Sequence, residues 1–503
     1  MKNNEWFKIK FYPHIGEQIT FSDKKRICSY VKNRTKIETH SFIPFIHKQI
    51  ISRKLRKEYD IDGNILNKGK RVLQKSKKRD IYYSNHLDAN IFSYYSHLLN
   101  KKYDVKLKEN SLNEVVTAYR KVPLYQDGKI IRNKCNIDFA NEVFEFIKKE
   151  HSKKLVAIAF DIKGFFDNLD HKLLKKSWAK LLNKTHLDKD HYNIFKNITK
   201  FSFVEETHLF NLFQNEIYVK SKSGVVKRKR VDKIKYMFNQ GAIAYCDRKE
   251  IHKIRAKGLI RNNKRVKGKI RDFGICQGSP ISSVLANLYM YEFDKKINQE
   301  TIHKEGLYRR YSDDMVVVCK KEDKDYFIKL METSIQNITK LKIQSKKTQI
   351  FHFYTKNNKL VCAQEFNGAL NSNSENRNFE YLGFSFNGEI VSLKTSSLAK
   401  YYRKMKLNVR RGVYYTSSIN NKSNGQLFKR RIYKRFTYIG AKRMKKYKRV
   451  FGTTNKWKTS HSFNWGNFIT YANLASNTIK NSNIKGQIKK HWKNVNNEIK
   501  KSS

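Results

Sequence analysis

The sequence is short of acidic residues, of long hydrophobic runs and of closely spaced cysteines. Its 503 residues contain 106 Lys and Arg against 44 Asp and Glu, which gives a formal net charge of +62. A positive excess of this size favours a polyanionic partner, and nucleic acid is the default one. A Lys-rich composition that follows an AT-rich genome is the alternative explanation, but it accounts for the lysines better than for the scarcity of acids.

The other absences exclude several classes of protein. The first fifteen residues are polar and lack the apolar core of a signal peptide. No run approaches 18 apolar residues, so we expect no membrane span and no membrane partner. The six cysteines are not spaced as Cys-x-x-Cys, which argues against a zinc site and a disulfide framework, and we expect a reduced, cytoplasmic protein. The hydrophobic share of 39% excludes a disordered chain.

The character of the sequence changes twice along the chain. Residues 1–150 are predicted to be mainly helical with basic loops, of which Lys75–Arg79 is one. Residues 151–390 contain short apolar runs that alternate with helical segments, which predicts an α+β sheet covered by helices. Within them, residues 205–272 are expected to form a basic, irregular insertion. Residues 391–503 are expected to be helical and very basic.

The C-terminal region combines positive charge with aromatic side chains. Residues 401–503 hold 26 Lys and Arg and a single acid, Glu498. Leu398, Tyr401, Tyr402 and Met405 follow a helical period, and further aromatics, including Trp457, Trp465 and Trp492, are interleaved with the charges. The pattern favours binding of a nucleic-acid backbone and bases, with a solvated helical face as the alternative.

Two acidic segments lie about 150 residues apart. Leu155–Phe160 is a continuous apolar run typical of a buried strand, and it places Asp161 at the end of that strand. Asp167 and Asp170 are interpreted as turn and helix-cap residues. Farther along, Asp313 and Asp314 occupy a short turn between two apolar runs, which predicts strand, turn and strand. Three carboxylates of this kind can hold two divalent cations for phosphoryl transfer.

A third segment, residues 274–280, lies between the two acidic ones. Ser279 and Pro280 are suited to the start of a helix, as N-cap and first helical residue. Gly278 lacks a side chain where a nucleotide could approach the backbone, and Gln277 offers both a donor and an acceptor.

Together, these segments resemble the palm motifs of reverse transcriptases. Phe160–His171 is similar to the first motif of that family, Gln277–Asn287 to the second and Tyr311–Asp314 to the third, with Ser312 where bacterial members usually have Ala. Lys347-Thr348 resembles a later palm motif, and Tyr381–Phe384 resembles the hairpin that grips the primer. The resemblance covers roughly residues 70–410.

The resemblance implies an α+β right-hand polymerase fold. The N-terminal region and fingers would occupy residues 1–150. The palm, with an antiparallel sheet and the insertion 205–272, would occupy residues 151–390. The helical thumb and a basic C-terminal extension would occupy residues 391–503.

It also implies roles for individual residues. Asp161, Asp313 and Asp314 would be catalytic and hold two Mg²⁺ ions, and Lys347 would protonate the leaving pyrophosphate. Phe166 would pack under the sugar of the incoming nucleotide and select dNTPs, since a bulky ring there clashes with a 2′ hydroxyl. The remaining residues expected at the nucleotide are Arg79, Arg120, Lys121, Gln277 and Gly278.

The implied function is RNA-directed DNA polymerisation, in which an RNA template yields a DNA product. Upstream segments such as Ala118–Pro123 and Lys134–Ala140 look like the bacterial "unknown group" and abortive-infection enzymes. That branch implies antiphage defence with a partner non-coding RNA, and some of its members form homo-oligomers. The alternative is a protein like a group II intron maturase, in which RNA binding is the main task and polymerisation is secondary.

Overall fold

We describe a computed structural model of the chain, covering residues 5–67, 70–221, 223–263, 265–266, 268–416, 426–442, 445–449, 457–463 and 466–502. Trp465, one of the interleaved aromatics, lies outside these residues. Within them, no helix is both long enough and apolar enough to cross a bilayer.

The N-terminal part contains both helices and a long hairpin. Its elements are β1 (His14–Ile15), α1 (Lys24–Lys32), α2 (Arg34–Glu38), β2 (Phe45–Lys57), β3 (Arg71–Tyr83), α3 (His86–Glu109), β4 (Pro123–Gln126), β5 (Lys129–Asn133) and α4 (Asn136–Lys149). The prediction of a basic loop at Lys75–Arg79 is wrong, because these residues lie in β3 and pair with β2. The strand was not predicted because most of its residues are exposed on both faces, so its sequence lacks the alternation of apolar and polar residues that marks a half-buried strand.

The central part begins with the strand that carries Asp161. Its elements are β6 (Leu155–Asp161), α5 (His171–Leu181), α6 (Lys189–Thr199), β7 (Ser202–Glu205), α7 (Glu206–Phe213), β8 (Ile217–Lys220), β9 (Val226–Lys229), α8 (Ile234–Met237), β10 (Ala242–Cys246), α9 (Ile251–Ala256), β11 (Arg261–Asn262), β12 (Arg265–Val266), β13 (Lys269–Ile270), α10 (Ser282–Tyr289), α11 (Tyr291–His303), β14 (Leu307–Tyr311), β15 (Asp314–Lys320), α12 (Lys324–Thr339), β16 (Gln349–Lys356), β17 (Lys359–Gln364), β18 (Phe379–Tyr381), β19 (Phe384–Phe386) and β20 (Val391–Leu393).

The main sheet has the order β14-β15-β6-β16-β17, and every neighbouring pair is antiparallel. Because side chains alternate along a strand, its two faces enter two different cores. Val156, Ile158 and Phe160 pack with helices α3, α5, α10, α11 and α12. Leu155 and Ala157 pack with α4 and the C-terminal helices. The predicted strands and their helical cover are therefore confirmed.

The prediction of an irregular insertion at residues 205–272 is wrong. This segment folds around a core that includes Leu209, Phe210 and Val219 and that also contains N-terminal residues such as Ile46. It also joins the N-terminal part, since β7 pairs with β2, and β10 pairs with β1. Its many basic residues lie on the outside of short strands, which conceals the apolar positions that fold it.

The C-terminal part is mostly helical. Its elements are α13 (Thr395–Thr416), α14 (Lys429–Phe436), β21 (Lys445–Arg449), β22 (Trp457–Phe463), α15 (Phe468–Thr478), α16 (Ile484–Ile488) and α17 (His491–Ser502). The helical stripe is confirmed, because Tyr401 and Met405 are buried in α13. The β21–β22 hairpin departs from the all-helical expectation.

Candidate active site

Three aspartates meet at one end of the main sheet. Asp161 ends β6 and lies directly opposite Asp314, the first residue of β15, in the strand register. Ser312 and Asp313 form the turn between β14 and β15, with Ser312 at a positive φ of 62°. The amide of Ile162 donates to the carbonyl of Asp313 at 3.4 Å, which joins the two acidic segments through their backbones. The strand–turn–strand prediction is confirmed.

The three carboxylates are close enough to repel one another. Desolvation by the surrounding protein raises the pKa of Asp314 to about 6, and the charges of Asp313 and Asp161 add to the rise. This happens although Asp314 is exposed at the edge of the cleft. Lys394 and Lys347 oppose the shift. A like-charge cluster of this kind is stabilised by any cation that enters it.

Lys347 lies beside the carboxylates, as the sequence predicts. Its Nζ is 3.1 Å from Oδ2 of Asp161, in an ion pair that is partly open to solvent. The pairing follows from the chain path, since the amide of Gln344 donates to the carbonyl of Asp161 at 2.8 Å. A metal ion that bound Asp161 would compete with this ammonium group.

A fully buried ion pair stabilises the turn that carries Asp313. Nη2 of Arg310 is 2.7 Å from Oδ2 of Asp294, and both side chains are 0% exposed. Nη1 of Arg310 donates to the carbonyl of Ser312 at 3.1 Å and to Oδ1 of Asn287 at 3.2 Å. Tyr308 also donates to Asp294, at 2.9 Å. Strand β14 is thereby tied to α10 and α11, and this network fixes the turn that carries Asp313.

Gln277 and Gly278 lie against the N-terminal hairpin. The amide of Tyr82 donates to the carbonyl of Gln277 at 2.7 Å. Gly278 has a φ of +111°, and a Cβ there would lie 2.6 Å from the carbonyl oxygen of Tyr82. The glycine is therefore required by the close approach of β3, a reason different from the nucleotide approach that the sequence suggested. The predicted helix start is also wrong: the helix begins at Ser282, and the buried hydroxyl of Ser279 has no hydrogen-bond partner.

Phe166 is half-buried in a short turn after Asp161. Its carbonyl accepts from the amide of Ile275 at 2.8 Å, which joins the first and second motifs. Its ring lies 5.3 Å from that of Phe165, which is buried in the core. Asp170 caps α5 by accepting from Leu173 at 2.9 Å, as predicted.

The basic residues expected at the nucleotide have different surroundings. Arg79 is exposed on β3. The expectation for Arg120 is wrong, because its side chain is only 2% exposed and its guanidinium contacts the protein. It bonds to Asp104 at 2.7 Å and to the carbonyl and side chain of Asn113 at 2.9 and 2.8 Å. Lys121 is exposed and pairs with Glu5 at 2.5 Å.

Two residues near the carboxylates were missed by sequence reasoning. Tyr119 has a positive φ of 63° and accepts a hydrogen bond from Ser312 Oγ at 3.3 Å. Within Ala118–Lys121, only the charged residues Arg120 and Lys121 were predicted to contact the nucleotide, and the exposed ring of Tyr119 was overlooked. Lys394 lowers the pKa of Asp314 and pairs with Glu380 at 2.5 Å. It follows β20, and no short motif marks it.

The residues present fit a divalent metal. Carboxylate oxygens are the ligands that Mg²⁺ and Mn²⁺ prefer, and the mutual repulsion of the three aspartates provides a reason to bind a cation. Among the described residues, no group of three or more His, Cys, Asp or Glu side chains is placed so that it could hold a metal ion by itself. Substrate phosphates and water would therefore supply further ligands.

Residues 231–386 match the family model for reverse transcriptase (RNA-dependent DNA polymerase). The chain carries a reverse transcriptase domain. The matched family is that of RNA-dependent DNA polymerases, in agreement with the enzyme class that the motifs predicted, and the described residues have the expected mixed α+β architecture. Domains of this family generally use divalent metal ions. The matched range includes Gln277, Asp313 and Asp314 but begins after Asp161, which is joined to the domain by strand pairing. No curated protein matches the sequence.

Telomerases are among the solved structures that are similar to the chain, although the similarity is weak. The apo telomerase from Candida tropicalis truncated from its C-terminal domain is 13% identical, with 75% of this chain and 61% of that chain covered and a TM-score of 0.35. The telomerase from Candida albicans in complex with a TWJ fragment of telomeric RNA is 13% identical, with 80% and 56% covered and a TM-score of 0.36. The chain thus spans less than two thirds of either structure.

Proposed function

We propose that the chain synthesises DNA on an RNA template from dNTPs, with two Mg²⁺ ions held by Asp161, Asp313 and Asp314. The convergence of these aspartates across the β6–β15 pairing carries the proposal. When bound, the ions would activate a 3′ hydroxyl and screen the triphosphate. The rest of the contribution of the protein would be positioning and charge stabilisation.

Three side chains around the carboxylates have proposed roles. Lys347 is close enough to Asp161 to reach the phosphates of a nucleotide in the same cleft, where its ammonium could donate a proton to the leaving pyrophosphate. The guanidinium of Arg120 is occupied by contacts within the protein, whereas Arg79 is exposed, so that Arg79 is the arginine that would bind phosphates. Phe166 is half-buried beside the catalytic strand, so that its free edge can exclude a 2′ hydroxyl.

The domain division that we propose follows the sheets and cores. Fingers would comprise the N-terminal part together with residues 202–263, which share a core with it. The palm would comprise the remaining residues up to 390, and the thumb and basic extension residues 391–503. A cytoplasmic location is a further part of the proposal, and it is supported by a cysteine spacing that argues against a disulfide framework.

Polymerisation can be tested with an RNA template, a DNA primer, dNTPs and Mg²⁺. We expect Asp313→Asn to reduce single-nucleotide incorporation at least about 100-fold, the scale seen when one electrostatic group is removed from an active site. The matched control is Asp325→Asn, since the Asp325 side chain is 88% exposed on α12. Incorporation by Asp313→Asn at the wild-type rate would show that the carboxylate is not part of the site.

We further propose that this activity serves antiphage defence with a partner non-coding RNA, which would act as template or scaffold. The support is the resemblance of residues 118–123 and 134–140 to defence-associated enzymes, together with a net charge of +62 that suits an RNA partner. Sequencing the nucleic acid that copurifies with the protein would identify the RNA. Protection from phage should be lost in Asp313→Asn. Splicing of a flanking intron that survives Asp313→Asn would instead support the maturase-like alternative.

A further inference from the structure

The tip of the β2–β3 hairpin is bound to a loop of the palm that follows β17. Asn371 Nδ2 donates to the carbonyl of Asp62 at 2.9 Å, and Asn373 Nδ2 donates to Oδ1 of Asn64 at 2.6 Å. These residues are more than 300 positions apart in sequence. The contact therefore joins two distant parts of the fold and is not a local turn.

An arginine and two aromatic rings complete this contact. Arg377 lies over the ring of Tyr59, with 3.8 Å between guanidinium carbon and ring centroid, and donates to the carbonyl of Gly63 at 3.1 Å. Gly63 has a φ of +82°, and a Cβ there would lie 2.7 Å from the ring of Phe366. The tip and the loop thus have complementary shapes. We call residues 58–67 and 366–377 together the latch.

The other end of the hairpin is bound to the second motif. There Tyr82 donates to the carbonyl of Gln277, next to the first motif. The latch lies beyond β17, the edge strand of the main sheet. The chain leaves β17 toward the catalytic end, because Gln364 pairs with Phe351 and Glu365 then bonds to Ile350 at 2.8 Å. Strands of 13 residues span about 43 Å. The hairpin thus connects the second motif to the latch, which lies at the catalytic end of the sheet, and we call it the arch.

Between its two attachments the arch exposes both apolar and basic side chains. Ile50, Ile51, Leu55 and Leu73 are between 49% and 59% exposed. Strands β2 and β3 contain ten Lys and Arg residues and one acid, Asp80. Positive charge with interleaved apolar surface suits a single nucleic-acid strand, whose phosphates and bases can contact both. The position of the arch beside the catalytic carboxylates favours the template strand.

We propose that the arch and its latch enclose the template strand, so that a strand without a free end can enter only while the latch is open. This inference rests on the proposed function in taking nucleic acid as the substrate. The latch retains the template by topology in addition to phosphate contacts, which weaken as salt concentration rises.

The test uses a double variant, Asn64→Cys with Asn373→Cys, joined by a short bis-maleimide. Circular and linear single-stranded RNAs of equal length are mixed with the protein before or after crosslinking and then washed with about 1 M salt, which removes phosphate contacts. We expect circular RNA to be retained only when crosslinking follows mixing. Linear RNA should be lost in both orders, because it can slide out. Each single-cysteine variant is a matched control for reaction at native thiols, of which five are buried and Cys135 is half-buried.

Loss of circular RNA after crosslinking, or equal retention by the single-cysteine variants, would overturn the proposal, as would failure of the two cysteines to crosslink. Arg377→Ala provides a second measurement without new thiols. Losing the stacking and one hydrogen bond should open the latch and speed the loading of circular RNA by roughly ten-fold, with linear RNA unaffected. An unchanged loading rate would also contradict the latch. None of these readouts requires catalysis, so they remain informative if wild-type protein fails to incorporate dNTPs.

Discussion

Removing one member of the Arg310–Asp294 pair should strongly destabilise the strands that carry the acidic turn. Arg310→Leu leaves a carboxylate that is 0% exposed without its guanidinium partner. Breaking a buried pair in this way costs about 3–5 kcal/mol. The variant also loses the hydrogen bonds from Arg310 to Ser312 and Asn287. Burial already raises the pKa of Asp294, against the opposing effects of Arg310 and Tyr308, so the unpaired carboxyl group would be driven further toward its neutral form.

Native-state hydrogen exchange of β14 and β15 measures this cost locally, which avoids assuming that a chain of this size unfolds in a single step. A loss of 3–5 kcal/mol corresponds to exchange that is faster by roughly a hundred-fold to a few thousand-fold. The double variant Arg310→Leu with Asp294→Leu should recover part of the loss, since neither charge is then left unpaired. Exchange in Arg310→Leu within about ten-fold of wild type would refute the reasoning, and so would a double variant whose cost equals the sum of the single costs.

Three further predictions follow from the surroundings of single residues. Phe166→Ala should admit NTPs while retaining dNTP incorporation, and unchanged discrimination between the two would remove the ring from the sugar pocket. Arg79→Ala should raise KM for dNTPs without a change in thermal stability, whereas Arg120→Ala should lower stability because it leaves buried partners unsatisfied. Burial lowers the pKa of His14 to about 3, below its pKa in the unfolded chain. The stability that the neutral imidazole contributes is therefore fully present above the unfolded pKa and is lost as pH falls. Between pH 7 and pH 5, the free energy of unfolding of β1 and its neighbouring strands should therefore fall by about 2 kcal/mol more in wild type than in His14→Gln. Equal losses in native-state hydrogen exchange, corrected for the intrinsic pH dependence of exchange, would contradict this.

The strands that carry the three aspartates could be predicted from the sequence because the residue patterns that indicate them are local. The apolar run before Asp161 and the strand–turn–strand around Asp313 each depend on neighbouring residues, and the structure places them as expected. The long hairpin escaped prediction because its exposed, lysine-rich strands have no apolar alternation.

The errors at Arg120 and Gly278 share a different physical cause. An arginine that binds phosphate and an arginine that satisfies carbonyl groups look identical in sequence, and only the surroundings, here Asp104 and Asn113, distinguish them. In the same way, a glycine that makes room for a ligand cannot be told from one that makes room for a distant strand, which at Gly278 is β3. The roles of Arg120 and Gly278 are thus determined by tertiary contacts, which the sequence does not show.

The family match begins after Asp161, so the assignment of this residue depends on the motif resemblance and on the pairing of β6 with β15. The most direct test is therefore single-nucleotide incorporation in Mg²⁺ by Asp161→Asn, compared with Asp167→Asn six residues farther along the chain. We expect a loss of at least about 100-fold for Asp161→Asn and near wild-type rates for Asp167→Asn. Wild-type incorporation by Asp161→Asn would contradict a metal site shared by the three aspartates.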